Sequence, residues 1–287
     1  MQILSVQSSV AFGHVGNSAA VFPLQRLGHE VWPVFTVHFS NHTGYGAWRG
    51  PLLDPADVRE VVIGIEERGA FASVDAVLSG YQGSPEIADV ILDAVARVKA
   101  ANPAATYTCD PVMGNAKSGC FVNPAIPPII CEKVVPAADI VTPNQFELGF
   151  ITGHDSLGEP SPLAAILEAA DEVRALGPST VLITSVDRDD TPEDEIEMIA
   201  VTGDGAWSVR TPRLPLKANG SGDVTAALFT AHLHTTGSPA DALGRTAASI
   251  FGVLEETLAS GHRELQIIAA QEVIANPPAR FEVAQVR

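Results

Sequence analysis

The chain has 287 residues, 46% of them apolar and 18% charged, which gives ample core-forming material and excludes a disordered polypeptide. Acidic residues outnumber basic ones 34 to 17, and the net charge of −17 excludes a general nucleic-acid or anionic-membrane binder, either of which needs a basic face. No apolar run approaches the roughly 18 residues of a membrane span, and no basic stretch precedes the apolar residues at the N-terminus, so neither a membrane span nor a secretory signal is expected.

In chain order, residues 3–7 read as a strand and 16–27 as a helix closed by Gly28, a residue at ease in the left-handed cap conformation. Residues 31–39 are a second β-rich run, which Pro33 is expected to break. Asp54-Pro55 opens the next helix with a capping side chain and a proline at the first helical position. Residues 76–79 read as a short buried strand. Ser84-Pro85-Glu86 then starts a helix whose Ile87, Val90, Ile91, Ala94, Val95 and Val98 share one face.

Further strands are expected at 106–109, 139–141 and 181–184, with helices in the intervals. A hairpin joins 197–202 to 206–211 across Gly203-Asp204-Gly205. The last third of the chain is mostly helical. Alternating strands and helices imply an α/β fold: a mostly parallel central sheet flanked by helices on both faces, in a single domain over residues 1–287. Cys109, Cys120 and Cys131 are odd in number and too widely spaced for a Cys-x-x-Cys site, which fits a reducing, cytoplasmic compartment.

In open parallel sheets, ligands lie beyond the carboxyl ends of the strands. Those ends carry Ser8, Ser79-Gly80-Tyr81, Asp110, Thr142-Pro143-Asn144 and Thr184-Ser185. The most informative segment is Gly220-Ser221-Gly222-Asp223, which runs into the apolar-periodic stretch from Val224. Glycines around a serine let backbone N–H groups converge at a helix start, where the dipole favours an anion, and Asp223 stands at its mouth as a base. An ordinary helix cap is the competing reading of the same four residues.

Asp110 and Glu147 are the acids placed to attend a cation; Mg²⁺ needs only one or two carboxylates when phosphates complete its shell. Glu147 also fits a capping box with Asn144, and Asp110 before Pro111 fits an ordinary turn. The glycine-flanked loop 114–120 is suited to closing over phosphates, or is a plain surface loop. Segment 40–46 is suited to a small polar ligand. His14, His42, His232 and His234 do not form a metal set, and the P-loop motif is absent.

Taken together, Ser5–Ser8, 13–20, Phe22-Pro23-Leu24-Gln25, Phe39-Ser40-Asn41-His42-Thr43-Gly44-Tyr45, Leu78–Tyr81, Cys109-Asp110-Pro111-Val112-Met113-Gly114, Asp139–Glu147 and Gly220–Asp223 resemble the pyridoxal kinases of the ribokinase-like superfamily. The resemblance spans nearly the whole chain in the family's order. The Gly-Ser-Gly-Asp turn is shared across the superfamily; the Ser-Asn-His-Thr-Gly-Tyr and Thr-Pro-Asn-Gln-Phe-Glu segments are the specific ones. It implies a ribokinase-like three-layer sandwich and ATP-dependent phosphorylation of the pyridoxal 5′-hydroxyl.

In that resemblance Asp223 is the base, and Gly220, Ser221 and Gly222 form the anion hole. Ser8 and Thr43, with Gly44, bind the ring's polar substituents, and Val15 and Tyr81 shape the ring pocket. Asp110 and Glu147 organise Mg²⁺ and the phosphates. Asn144, Thr184 and Ser185 contact ATP, and Thr142 and Thr184 attend a monovalent cation such as K⁺. A cytoplasmic homodimer is implied. Two departures stand out: Asn115 where some relatives carry an acid, and Thr184 where others carry lysine. Cys120, in the 114–120 loop, is a candidate for reversible addition to the substrate aldehyde. The alternatives are a hydroxymethylpyrimidine or other B6-vitamer kinase, or a vitamin B6 carrier or sensor. A carrier of a neutral vitamer has no need of Asp110, Glu147 and Asp223 together.

Overall fold

A computed structural model describes residues 1–287. Strand β1 (Gln2–Val10) leads into helix α1 (Asn17–Arg26). Its C-terminus closes as expected: Gly28 is left-handed at φ 84°, and the N–H groups of His29 and Gly28 reach back to the carbonyls of Leu24 and Gln25. Strand β2 (Glu30–Phe39) runs unbroken through Pro33, against the sequence reading. It is the edge strand of the sheet, bridged on its outer side only beyond Pro33, at Val37 and Leu52, and an edge tolerates a residue that cannot donate.

Helix α2 (Pro55–Glu66) is capped by Asp54, which accepts the Ala56 N–H at 2.9 Å. Strand β3 (Ala76–Ser79), helix α3 (Glu86–Ala101) and strand β4 (Thr106–Cys109) follow, and all six residues of the α3 stripe are buried. Burying each larger aliphatic side chain of that stripe contributes about 1.5–3 kcal/mol. The 114–120 loop holds a small hairpin, β5 (Gly114–Asn115) with β6 (Gly119–Cys120). Helices α4 (Ile126–Ile129) and α5 (Val135–Ala137) are joined by a π turn.

Strand β7 (Ile140–Val141), helices α6 (Gln145–Thr152) and α7 (Leu163–Leu176) and strand β8 (Thr180–Val186) come next. The expected hairpin is β9 (Glu195–Val201) with β10 (Ala206–Pro212). Helices α8 (Ser221–Thr236), α9 (Pro239–Ser260) and α10 (Gln271–Ala275) complete the helical third, and a final strand, β11 (Val283–Gln285), had no clear signal in the sequence.

The sheet has nine strands in the order β11-β10-β9-β8-β7-β4-β3-β1-β2. The six from β8 to β2 are mutually parallel, and β9, β10 and β11 extend the far edge antiparallel. Successive residues serve opposite faces, as the pleat demands. Leu4, Val6, Val77, Val181 and Ile183 pack with α2, α3 and α7 on one side. Ile3, Ala76 and Leu78 pack with α1 and α8 on the other, and Leu182 with α8 and α9. The result is a three-layer α/β sandwich, and the parallel strands all end on one rim.

Candidate active site

Helix α8 begins at a left-handed glycine, Gly220, with φ 88°. No other residue fits there: a Cβ would strike the carbonyl oxygen of His14. The first N–H groups of the helix, on Ser221 and Gly222, have no intrahelical acceptor. Gly222 differs, because a Cβ at that position would meet open space. Its lack of a side chain keeps the approach to those amides clear.

Asp223, in the first turn, is half-buried and meets the start of α1, where the Gly16 N–H and its own N–H hold its carboxylate. Gly16 has φ 54° and lies so close to the backbone and hydroxyl of Ser8 that no Cβ fits. The beginnings of two helices thus converge on one carboxylate. Burial pushes its pKa up to about 6, against the pull of the two N–H groups.

Asp110 follows β4 and is buried; its N–H is fixed to the Ser79 carbonyl at 2.9 Å. Burial, then repulsion from Asp223 and Glu147, holds it well above the usual carboxylate range. The buried hydroxyl of Thr142, just after β7, lies toward it without a well-formed hydrogen bond. Glu147 and Asn144 make the capping box that their spacing suggested. Glu147 does more than cap: Oε2 accepts the Asn144 N–H at 3.0 Å, and Oε1 accepts the N–H groups of Met113 at 2.9 Å and Gly114 at 3.2 Å. Asn144 donates to the Gly114 carbonyl at 2.8 Å, so α6 and the β4–β5 loop are tied together. Burial pushes the Glu147 carboxyl up to about 7. Asp110, Glu147 and Asp223 share one electrostatic neighbourhood, yet no three acids, histidines or cysteines close into a protein-only metal cage.

On the β1 side, Ser8 is buried, and Val15 packs with Val10, Val37 and Phe39 against the half-buried Tyr81. The expected ring-pocket walls therefore meet. Thr43 begins a short 3-10 turn, and the imidazole of its cap, His42, accepts the Gly44 N–H at 3.0 Å. A Cβ on Gly44 would lie within 3.8 Å of the Asn219 side chain, which brings this loop beside the anion turn.

Two neighbours went unnoticed in the sequence. Arg263 and Glu264, between α9 and α10, contact this loop: Glu264 accepts from the Tyr45 hydroxyl at 2.5 Å and Arg263 donates to the Gly44 carbonyl at 2.9 Å. No local motif marks them, because their partners are more than two hundred residues away in the chain.

On the β8 side, Asn144 and Thr184 form a backbone bridge, and the Thr184 N–H donates to the Pro143 carbonyl at 2.9 Å. Exposed Ser185 is the sole non-glycine residue with positive φ, 51°, at a bulge in β8. Cys120 is exposed on the β5–β6 hairpin; partial burial and the charge of Glu147 push its thiol up, which disfavours the thiolate that adds to an aldehyde. His232 is buried within α8 and His14 bonds to the Ser18 carbonyl, so neither belongs to a metal set.

Such a rim suits phosphoryl transfer to an alcohol: amides for a phosphate, a half-buried base beside them, and acids for a cation. The phosphomethylpyrimidine kinase family model matches residues 68–267. The chain is 64% identical over 286 residues to a pyridoxal kinase of Leifsonia xyli, and 62% identical over 286 residues to one of Corynebacterium diphtheriae, with 100% of each chain covered in both cases. Its fold is similar to that of the Leishmania donovani pyridoxal kinase in complex with ADP and pyridoxamine, with a TM-score of 0.92, 27% identity and coverage of 100% of this chain and 99% of that one.

Proposed function

The chain belongs to the phosphomethylpyrimidine kinase family and, within it, to the pyridoxal kinases, and from that premise we propose how its residues divide the reaction. The enzyme phosphorylates the 5′-hydroxyl of pyridoxal with ATP as donor, giving pyridoxal 5′-phosphate and ADP. Asp223 takes the hydroxyl proton as the oxygen attacks the γ-phosphorus. The bond between that phosphorus and the β–γ bridging oxygen breaks, and ADP leaves. The observation that carries this reading is the Asp223 carboxyl, enclosed between the starts of α1 and α8 and raised to about 6. It is mostly ionised at neutral pH, yet more basic than a free aspartate.

The N–H groups of the Gly220-Ser221-Gly222 turn stabilise charge on the moving phosphoryl group. Ser8, Thr43 and Gly44 hold the polar ring substituents, Val15 and Tyr81 the ring faces. Cys120 approaches from the hairpin as a neutral thiol. Asn144, Thr184 and Ser185 contact the nucleotide beside Thr142.

The acids fit a magnesium ion shared with the nucleotide. Asp110 is a buried carboxyl with neighbouring charges to offset, Thr142 Oγ1 is unpartnered beside it, and the lack of a protein-only cage suits an ion that keeps waters and phosphate oxygens. Asp110 would hold it directly and Glu147, whose oxygens face backbone donors, through water. When bound, the ion neutralises phosphate charge. Thr142 and Thr184 offer oxygens to a monovalent cation such as K⁺. Three free thiols support a cytoplasmic setting, and family likeness supports a homodimer, which sedimentation would check.

The test is kcat/KM for pyridoxal, pyridoxine and hydroxymethylpyrimidine with ATP and Mg²⁺. Pyridoxal should lead. A preference for hydroxymethylpyrimidine would favour the pyrimidine-kinase reading that the family model's own description raises. Tight pyridoxal 5′-phosphate binding with no ATP consumption would point instead to a carrier.

A further inference from the structure

Two adjacent residues from late in the chain clasp two loops from its beginning. The Glu264 carboxylate accepts the Tyr45 hydroxyl on Oε1 at 2.5 Å and the His14 N–H on Oε2 at 3.1 Å. Arg263 donates from Nη2 to the Gly44 carbonyl at 2.9 Å and lies 3.7 Å over the centre of the Tyr45 ring. Gly13 makes the approach possible, since a Cβ there would overlap the Glu264 carboxylate. Phe12 packs edge-on against the Tyr45 ring, 6.2 Å between centroids.

The clasped turn leads directly to the chemistry. The His14 carbonyl abuts Gly220, Val15 lines the ring pocket, and the Gly16 N–H holds Asp223. The Thr43–Tyr45 loop, by contrast, has no buried residue of its own. A loop with so little burial has low local stability, so external ties decide where it sits. Charge-assisted hydrogen bonds to one carboxylate are among the stronger ties available.

We propose that Glu264, assisted by Arg263, is a positioning residue for phosphoryl transfer: it locks the Thr43–Tyr45 loop to the Gly13–Gly16 turn, so that the vitamer is seated with its 5′-hydroxyl facing Asp223. The inference rests on the reading of Thr43 and Gly44 as ring contacts. It makes the ring site and the anion turn one unit. A small displacement of the loop then costs rate as well as affinity, because the reacting atoms must be held close to their productive geometry.

The experiment compares Tyr45→Phe, Glu264→Gln, Glu264→Ala and Thr43→Val in the full-length protein, with KM for each substrate, kcat and Tm measured in parallel. Tyr45→Phe removes one bond and keeps the stacked ring. It should raise KM for pyridoxal about tenfold and lower kcat, with KM for ATP and Tm unchanged. Glu264→Gln, which keeps an acceptor, should recover much of the activity that Glu264→Ala loses. The Tyr45→Phe/Glu264→Gln double variant should be no worse than the worse single. Pyridoxal kinetics that stay at wild-type values in Tyr45→Phe and Glu264→Ala, or losses that track Tm and ATP affinity equally, would overturn the proposal. If Thr43→Val weakens pyridoxal while the clasp variants do not, the clasp alone falls. If none of the four moves KM for pyridoxal, the ring-loop assignment falls with it.

Discussion

Helices α6 and α8 both carry an acid as their third residue, and the two acids have opposite fates. In α6 the cap is Asn144 and the acid Glu147; in α8 the cap is Gly220 and the acid Asp223. Glu147 is long enough to fold back onto its cap's N–H, and it takes two further N–H groups from the β4–β5 loop. Asp223 is one methylene shorter and its cap has no side chain, so its carboxylate keeps lone pairs beyond those held by Gly16 and its own N–H. Burial raises both. What separates them is saturation: three backbone N–H groups from outside its own residue engage Glu147, whereas Asp223 is held only by Gly16 and its own N–H.

The sharpest way to break that contrast is Asp223→Asn, which should lower kcat by about 10²–10⁴ with the fold intact. Steady-state turnover within a few-fold of wild type would remove Asp223 from its role. Glu147→Ala should act on stability first. It strips three N–H groups of their acceptor and should lower unfolding free energy by about 2–4 kcal/mol in a denaturant titration, with activity falling as the β4–β5 loop loosens.

The two glycines of the α8 turn should also diverge. Gly220→Ala forces a side chain into the His14 carbonyl at positive φ and should cost about 2 kcal/mol or more by thermal melts, together with most of the activity. Gly222→Ala meets no neighbour and gains helix propensity, so the ligand-free protein should be stabilised by about 0.5–1 kcal/mol while KM for ATP rises.

The last effect is one of pH. The folded-state value of Asp223, about 6, lies above the 3.8 of an ordinary aspartate, so its neutral form is favoured by folding. Its contribution to stability is fully present below pH 4 and is lost as pH rises through 6. Asp223→Asn should therefore stabilise the protein by about 2 kcal/mol more at pH 8 than at pH 4, as read from paired melts. A gain that is independent of pH would mean that the carboxyl is not strained.

Much of this was legible in the sequence wherever a local rule governs. Residues 76–79 and 106–109 are bounded by turn residues and buried on both faces, and their strands end where the pattern said. The Asn144–Glu147 spacing announced a capping box that exists. The same spacing could not reveal that Glu147 also secures Met113 and Gly114, because that depends on how a loop from another strand falls. Pro33 misled for a related reason: whether a proline interrupts a strand depends on which strand has a free edge, and that is a property of the whole sheet. Strand β11 is three residues long, with one side chain half-buried, and shows no alternation to read. Arg263 and Glu264 were silent because their side chains reach partners more than two hundred residues away.

The left-handed Ser185 shifts the phase of strand β8. Ile183 and Val186, three apart, both belong to the same core cluster, although a regular pleat would send them to opposite faces. The extra residue resets the parity of the strand and frees two consecutive polar side chains, Thr184 and Ser185, from alternation. A strand can thus present a two-residue polar lip to the rim without giving up an apolar anchor beyond it. The strain, about 1–3 kcal/mol for such a backbone, is confined between residues that are completely enclosed.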